Sequence, residues 1–327
     1  FKVFTYLAAL EAGIDPETMI DAGASMELPG ANEVHNIDNH DYGTRSIASA
    51  LAVSSNTAFV RLLMSVGVDK VKEMAQRLGL KGTLQEVAGL TLGINSTTPL
   101  EMADAYATIA NGGTYYEPQC IVSITDKDGN VIVDNSHPEG ERVLSEGVAY
   151  AAIQAMEGVV SASGGTGYEA RLSNGQPVAG KTGTTDDRKD HWFIGCTPSI
   201  TAAFWLGQRA DVYSQARAIP GYMTVTSAFA DFMNRILQGM PVEQFKEAPA
   251  PDYIEKYVDT KNHIGTGGWS KDEEEEEDEG DENEDPGHSN GSIAPTEPTD
   301  PATPPTTEPP TEPTDPDPPT EPTDPDP

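Results

Sequence analysis

Three groups of residues in this chain are of the types and spacing that do chemistry. The first is Lys181-Thr182-Gly183-Thr184-Thr185, which follows the short apolar run Pro177-Val178-Ala179 and precedes His191-Trp192-Phe193-Ile194. A lysine and hydroxyls on a strand beside a cleft form a receptor for a carboxylate, with charge from the ammonium and O–H donors from Thr182 and Thr184. A free strand edge at 181–185 can also hold an extended peptide by adding it to the sheet, and Gly183 inside such a strand marks close approach of a ligand or another backbone. The second group, Ser54-Ser55-Asn56, offers a hydroxyl that can relay a proton and an amide that can bond a peptide backbone. The third is Lys2, flanked by Phe1, Val3 and Phe4; a lysine buried among apolar groups near another cation loses its proton readily and can act as a base. Each group also has an ordinary structural reading: a solvated helix end, a helix-ending turn, and an edge lysine that guards against aggregation. Acyl transfer to a serine needs a nucleophile, a base, an oxyanion hole and a grip on the substrate, and these groups supply candidates for the base and the grip.

The elements that must position these groups follow from pattern and punctuation. Phe4, Leu7, Ala8 and Leu10 share a helical stripe ended by Gly13, and the segment is apolar almost all round, as a helix buried in a domain centre would be. Residues 14–42 read as a long polar loop, in which His35 and His40 are surface residues. Thr44 is the expected cap of a helix to about Val53, with Ser54-Ser55-Asn56 at or just past its end. Helices are expected again at 57–66 and from Asp69 to Leu78. Thr98-Pro99-Leu100-Glu101 combines a Thr cap, Pro in the first turn and Glu three residues after the cap, which starts a helix running to Ala110. Residues 119–134 alternate around Asp128-Gly129 and read as a hairpin. Ser145 caps a helix to about Val160. Residues 176–184, 191–197 and 200–207 read as adjacent strands of an antiparallel meander, and 222–238 as a closing helix. Helices, then neighbouring strands, then a last helix make an α+β fold, an antiparallel sheet packed with helices plus an all-helical subregion.

The 327 residues carry a net charge of −33, but unevenly. From Lys271 onward there are 21 acidic residues and one lysine, leaving −13 for residues 1–270. Residues 295–327 repeat Thr-Glu-Pro and Thr-Asp-Pro with no aliphatic side chain larger than Ala302. Such a segment buries too little apolar surface to offset its chain entropy, so 271–327 reads as a disordered acidic, Pro/Thr-rich tail. The expected organisation is a domain over 1–245, a linker over 246–270 and the tail. The acidic balance argues against nucleic-acid partners. Two cysteines, Cys120 and Cys196, form no disulfide framework; both lie in apolar strand-like runs and are expected to be buried free thiols. No run of 18 apolar residues spans a membrane. No metal-ligand cluster or nucleotide loop is present, so neither a metal nor a cofactor is expected.

Lysine, S-x-N and K-T-G in this order resemble the motif set of the penicillin-binding proteins and related serine acyl-transferases. The resemblance extends to Phe1–Leu10, to Thr97–Ala107 with Ala110-Asn111-Gly112-Gly113, to Ala179–Thr185 and to Asp190–Gly195. Over residues 1–240 the chain is similar to the transpeptidase domain of the bifunctional, class A members. Cys196 stands where that family usually has a tyrosine. The resemblance implies that Lys2 is the base of an S-x-x-K motif, whose serine would lie two residues before Phe1. The chain then looks like a piece of such an enzyme cut just after its nucleophile, and inactive by itself. The resemblance further implies a proton-relay role for Ser54, stem-peptide binding by Asn56, and carboxylate binding by Lys181, Thr182 and Thr184, with Gly183 and Thr185 alongside. The backbone N–H of Thr184 would form half of the oxyanion hole. The implied reaction is transpeptidation of D-Ala-D-Ala stem peptides in peptidoglycan on the extracytoplasmic face of the membrane, with β-lactams acylating the same serine. Other cell-wall synthesis proteins are candidate partners, and the membrane is reached only through an N-terminal anchor that this chain does not contain. Two alternatives stay open: a D,D-carboxypeptidase or serine β-lactamase on the same scaffold, and a non-catalytic penicillin-binding sensor module.

Overall fold

Helix α1 (Lys2–Glu11) has no charged residue between its two ends, and Val3 through Leu10 are all buried. A helix apolar on every side has to be surrounded. Around α1 lie α2 (Ile47–Ala52), α3 (Asn56–Val66), α4 (Val68–Arg77) and α6 (Glu146–Ser161), the last preceded in the chain by α5 (Pro99–Ala110). The computed structural model describes residues 1–28, 33–185, 188–208, 218–219 and 224–254. The expected tail at 271–327, and most of the expected linker at 246–270, lie outside the described residues.

Short paired strands occupy the segment before α2. β1 (Met19–Asp21) pairs with β4 (Thr44–Ser46), and β2 (Ser25–Met26) pairs with β3 (Val34–His35), both antiparallel. The stretch expected to be a loop is therefore stitched together by ladders too short to leave a periodic signal. Thr44 belongs to β4, and the cap of α2 falls to Ser46, whose side chain accepts from the Ser49 amide. The other caps match their sequence signals. Thr98 and Glu101 form a capping box at α5, with Pro in the first turn, and the Ser145 side chain caps α6.

Two further pairs, β5 (Thr114–Tyr115) with β8 (Glu141–Arg142) and the hairpin β6 (Ser123–Thr125) with β7 (Val131–Asp134), lie between α5 and α6. Cys120, just before that hairpin, is a free thiol but is exposed. Its apolar neighbours Ile121 and Val122 are exposed as well, so the apolar run there does not mark a core. Cys196 is free and buried.

The main sheet is β9 (Ala179–Thr184), β10 (His191–Cys196) and β11 (Thr201–Leu206), antiparallel in the order β11-β10-β9. Its two faces meet different helices. Ala179, Ile194 and Cys196 join the core that contains α1 and α6. Phe193 points the other way, into a second core with Val225, Phe229 and Met233 of α7 (Thr224–Ile236). The alternation of side chains along a strand produces this division, and the result is the mixed α+β architecture read from the sequence.

After α7 the chain runs back over the domain. Gln176 and Glu243 exchange side-chain-to-backbone hydrogen bonds of 2.8 and 2.9 Å. Phe245 is buried in the larger core, Lys246 pairs with Glu146 at 2.9 Å, and the Ile254 amide donates to the Gly13 carbonyl at 2.8 Å. Residues 246–254, the start of the expected linker, thus lie against the domain. Among the described residues no helix is long and apolar enough to cross a membrane.

Candidate active site

Two local devices set up the S-x-N residues. Helix α2 ends in a left-handed turn: the Ser54 amide donates to the Leu51 carbonyl and the Ser55 amide to the Ala50 carbonyl. That pattern usually places glycine at the left-handed position, yet here Ser54 has φ +59°. Holding a serine in that region costs about 1–2 kcal/mol, which the surrounding hydrogen bonds must offset. Ser55, the next residue, is fully buried and caps α3, its hydroxyl accepting from the Ala58 amide. Asn56 opens α3, with its side chain directed back toward α1.

The two lysines meet this turn from opposite sides. Lys2, in the first turn of α1, donates to Asn56 Oδ1 at 2.8 Å. Lys181, on β9, donates to Ser54 Oγ at 2.8 Å across 127 positions of sequence. It also reaches the Thr182 carbonyl at 3.1 Å and Thr182 Oγ1 at 3.3 Å. Lys181 is only 5% exposed, so the edge-lysine reading does not hold. Burial, and secondarily the charge of Lys2, hold its pKa well below the ordinary lysine value. Two lysine nitrogens therefore meet at a turn where burial makes positive charge costly, a setting that favours an incoming anion.

Backbone direction on β9 follows from one bond. The Thr185 amide donates to the Asp190 carbonyl at 3.2 Å, so Thr185 and Asp190 face each other as a hydrogen-bonded pair. Alternation in an antiparallel ladder then turns the backbone groups of Thr184 and Thr182 away from β10, toward the open edge. The contact of Lys181 with the Thr182 carbonyl agrees with that direction. The Thr184 N–H thus points out of the sheet, as an oxyanion donor would have to.

The remaining residues of the K-T-G-T-T stretch divide their roles. The Thr182 hydroxyl is engaged with Thr166 Oγ1 at 2.7 Å. Thr185 Oγ1 accepts from the amides of Lys189 and Asp190, so this hydroxyl helps close the β9–β10 turn with its oxygen. A Cβ at Gly183 would lie 3.2 Å from Trp192 Cβ, and the close neighbour that limits this position is the adjacent strand. The structure brings Lys2, Ser54, Asn56, Lys181, Thr182 and the Thr184 backbone together; it ties Thr185 and Gly183 into the sheet.

Two residues of the site had no signal in the sequence. Thr166 lies in a glycine-rich turn and reaches Thr182 only through the packing of that turn. Asn36, in the segment read as polar loop, is 3% exposed and makes hydrogen bonds to Ser55, Asn56 and Thr57. His35 and His40 on either side of it are exposed, but the His35 carbonyl accepts from Asn56 Nδ2 at 2.8 Å.

Comparison with known proteins agrees with this geometry. Residues 1–207 match the family described as "Penicillin binding protein transpeptidase domain". The chain is 33% identical over 279 residues to penicillin-binding protein 1A of Rickettsia typhi, an alignment covering 77% of this chain and 35% of that protein. It is 34% identical over 252 residues to penicillin-binding protein 1A of Aquifex aeolicus, covering 76% and 34%. The chain therefore spans about a third of the length of these relatives. Its fold is similar to that of the PonA1 protein of Mycobacterium tuberculosis in complex with penicillin V, with TM-score 0.68, 29% identity, and coverage of 78% of this chain and 73% of that one.

Proposed function

The chain belongs to the transpeptidase-domain family of penicillin-binding proteins, and on that premise we propose that it forms most of a serine D,D-transpeptidase site that crosslinks peptidoglycan stem peptides and is acylated by β-lactams. The observation that carries this reading is the 2.8 Å contact between Lys181 Nζ and Ser54 Oγ. It joins two motifs from distant parts of the chain at the N-terminus of the buried helix that bears Lys2.

The family resemblance and the geometry together support the following roles. A serine two residues before Phe1, one helical turn from Lys2, would share its face of the helix. Lys2 in its neutral form takes the serine proton, and the oxygen attacks the carbonyl carbon of the penultimate D-Ala. The Thr184 N–H stabilises the oxyanion together with the serine's own N–H. The peptide C–N bond breaks. The leaving D-Ala nitrogen takes a proton through Ser54, whose O–H is free to donate because its oxygen accepts from Lys181. An acceptor amine then attacks the ester carbonyl, the ester C–O bond breaks, and the serine regains its proton. Lys181 binds the substrate's terminal carboxylate, whose arrival raises the lysine pKa toward its ordinary value. Asn56 orients the stem peptide. In a β-lactam the ring amide takes the place of the D-Ala-D-Ala bond.

In this reading the nucleophile is a serine two residues before Phe1, carried by a longer protein of the kind its relatives are. The test is to supply that longer protein with a D-Ala-D-Ala peptide and an acceptor amine. Release of D-Ala with a crosslinked product is the expected result. Release without crosslinking identifies a carboxypeptidase, rapid β-lactam turnover a β-lactamase, and neither a binding module; each of these overturns the transpeptidase reading.

A further inference from the structure

Asn36 is buried and both ends of its side-chain amide are fully used. Its Oδ1 accepts from the Asn56 amide at 2.7 Å, from the Thr57 amide at 3.2 Å and from the Ser55 hydroxyl at 3.0 Å. Its Nδ2 donates to the carbonyls of Ala22 at 3.0 Å, Gly23 at 2.9 Å and His40 at 3.0 Å. The first set consists of groups at the start of α3. The second set consists of carbonyls of the β1–β4 segment, whose ladders among the described residues are two and three residues long.

A helix leaves its first amides without intrahelical partners. At α3 the Asn56 and Thr57 amides are taken by Asn36 Oδ1, and the Ala58 amide by Ser55 Oγ at 3.2 Å. Ser55 alone caps a single amide; Asn36 completes the end from 20 positions away. The same end carries Asn56, whose Oδ1 receives Lys2 and whose Nδ2 is held by the carbonyl next door to Asn36, that of His35. It also follows directly on Ser54, held at φ +59° against its intrinsic preference. The strained turn and the Asn56 amide therefore share one fixed point, and that point is the Asn36 amide.

We propose that Asn36 is a positioning residue for acyl transfer: it sets the start of α3 so that Asn56 meets Lys2 and Ser54 meets Lys181. This rests on the transpeptidase reading for its consequence in rate, but not for its consequence in structure. The role is one of orientation, and Asn36 touches no reacting atom. Misplacing a catalytic group by about an ångström costs on the order of a hundredfold in rate, so the effect belongs in the acylation step and not in the first association with ligand.

The experiment has two arms, each with Asn36→Ala and Asn36→Asp. The aspartate keeps an acceptor for the α3 amides but replaces the donor that faces three carbonyls, so it separates the two ends and carries the test if the alanine variant does not fold. In the chain as given, amide hydrogen exchange is measured at Asn56 and Thr57 against Leu62 and Leu63 deeper in the same helix. Asn36→Ala is expected to speed exchange at the first pair by about tenfold or more relative to the second, since their capping acceptor is gone, whereas Asn36→Asp retains most of the protection. In the longer protein that carries the upstream serine, penicillin acylation is split into ligand affinity and acylation rate constant. Asn36→Ala is expected to lower the rate constant by about a hundredfold with affinity changed by less than about threefold. Phe245→Ala, which destabilises the larger core away from these contacts, serves as the stability control and is expected to leave the rate constant within about twofold. Unchanged relative exchange at Asn56 and Thr57 overturns the proposal, as does a rate loss no greater than that of the control. If the unmodified longer protein is not acylated at all, the transpeptidase reading fails, and the exchange arm still decides whether Asn36 positions α3.

Discussion

Lys181 and Ser54 are joined by a 2.8 Å hydrogen bond in which the lysine donates and the serine accepts. The lysine is buried and comes from a sheet edge; the serine is held in a left-handed turn between two helices. Neither residue is placed where an unconstrained chain would leave it. The pair joins the sheet to the helical layer at the point where a carboxylate and a scissile amide would have to lie side by side.

Replacing Lys181 tests that pairing. In the longer protein, Lys181→Ala is expected to slow acylation by peptide and β-lactam alike. A charge-assisted bond in a partly desolvated cleft is worth roughly 2–4 kcal/mol, on the order of a hundredfold to a thousandfold in rate. Lys181→Arg does not restore the rate, because a planar fork cannot replace a compact ammonium against Ser54. Since Lys181 is buried, Lys181→Met is the variant that keeps the stem volume, and it should lose as much rate as the alanine variant while melting closer to wild type. Wild-type acylation by the methionine variant would remove Lys181 from the chemistry.

The depressed pKa of Lys181 has a consequence for stability that the chain itself can report. Burial lowers the folded pKa well below 10.5 while the unfolded lysine keeps its ordinary value. Between those two pKa values the unfolded chain holds a proton that the folded chain has released, so this group's contribution to stability rises with pH. Below the folded pKa both states are protonated and the contribution is flat at its least favourable level. Urea titrations from about pH 7 to about pH 9.5, below the ordinary lysine pKa of about 10.4, should show a smaller gain in stability for Lys181→Met than for wild type. Equal gains would mean that Lys181 is charged in the folded protein over that range.

Ser54 separates backbone cost from chemical use. Both Ser54→Gly and Ser54→Ala remove the hydroxyl, and both should abolish most acylation in the longer protein. Glycine tolerates φ +59° and alanine does not, so the glycine variant should be the more stable of the two by about 1 kcal/mol. The check is a pair of denaturant melts beside the acylation rates. If the two variants melt together, the left-handed turn is not a constraint; if either keeps its acylation rate, the relay role goes.

Legibility of this chain in its sequence differed by element. The buried character of α1, the capping box at Thr98 and Glu101 and the three-strand meander were readable, because each depends on local composition or on adjacent segments. The β1–β4 segment was not, since its described ladders are two or three residues long and its order comes from Asn36, most of whose partners lie 13 to 21 positions away. Thr44 looked like a cap because a Thr before an apolar helix normally is one; pairing with Asp21 in β1 takes it instead. Cys120 looked buried because its run is apolar, and only tertiary structure shows that nothing covers it. At the site, the types and order of Lys2, Ser54, Asn56 and Lys181 were readable. That Thr185 helps close a turn, and that Gly183 lies against Trp192, depends on register.

Deleting residues 271–327 should leave the melting temperature within a degree or two, since that acidic, proline-rich stretch has almost no apolar surface to bury and a 1 kcal/mol loss would already shift a domain of this size by roughly 2–4 °C. A fall of several degrees would show that the tail docks on the domain.

The most direct measurement is to treat the longer protein and the chain Phe1–Pro327 with a penicillin, digest both, and locate the covalent adduct by mass spectrometry. We expect one adduct in the longer protein, on the serine two residues before Phe1, and none in the chain that begins at Phe1. An adduct within Phe1–Pro327, or none in the longer protein, would contradict the assignment of Lys2, Ser54, Asn56 and Lys181 to a serine acyl-transfer site.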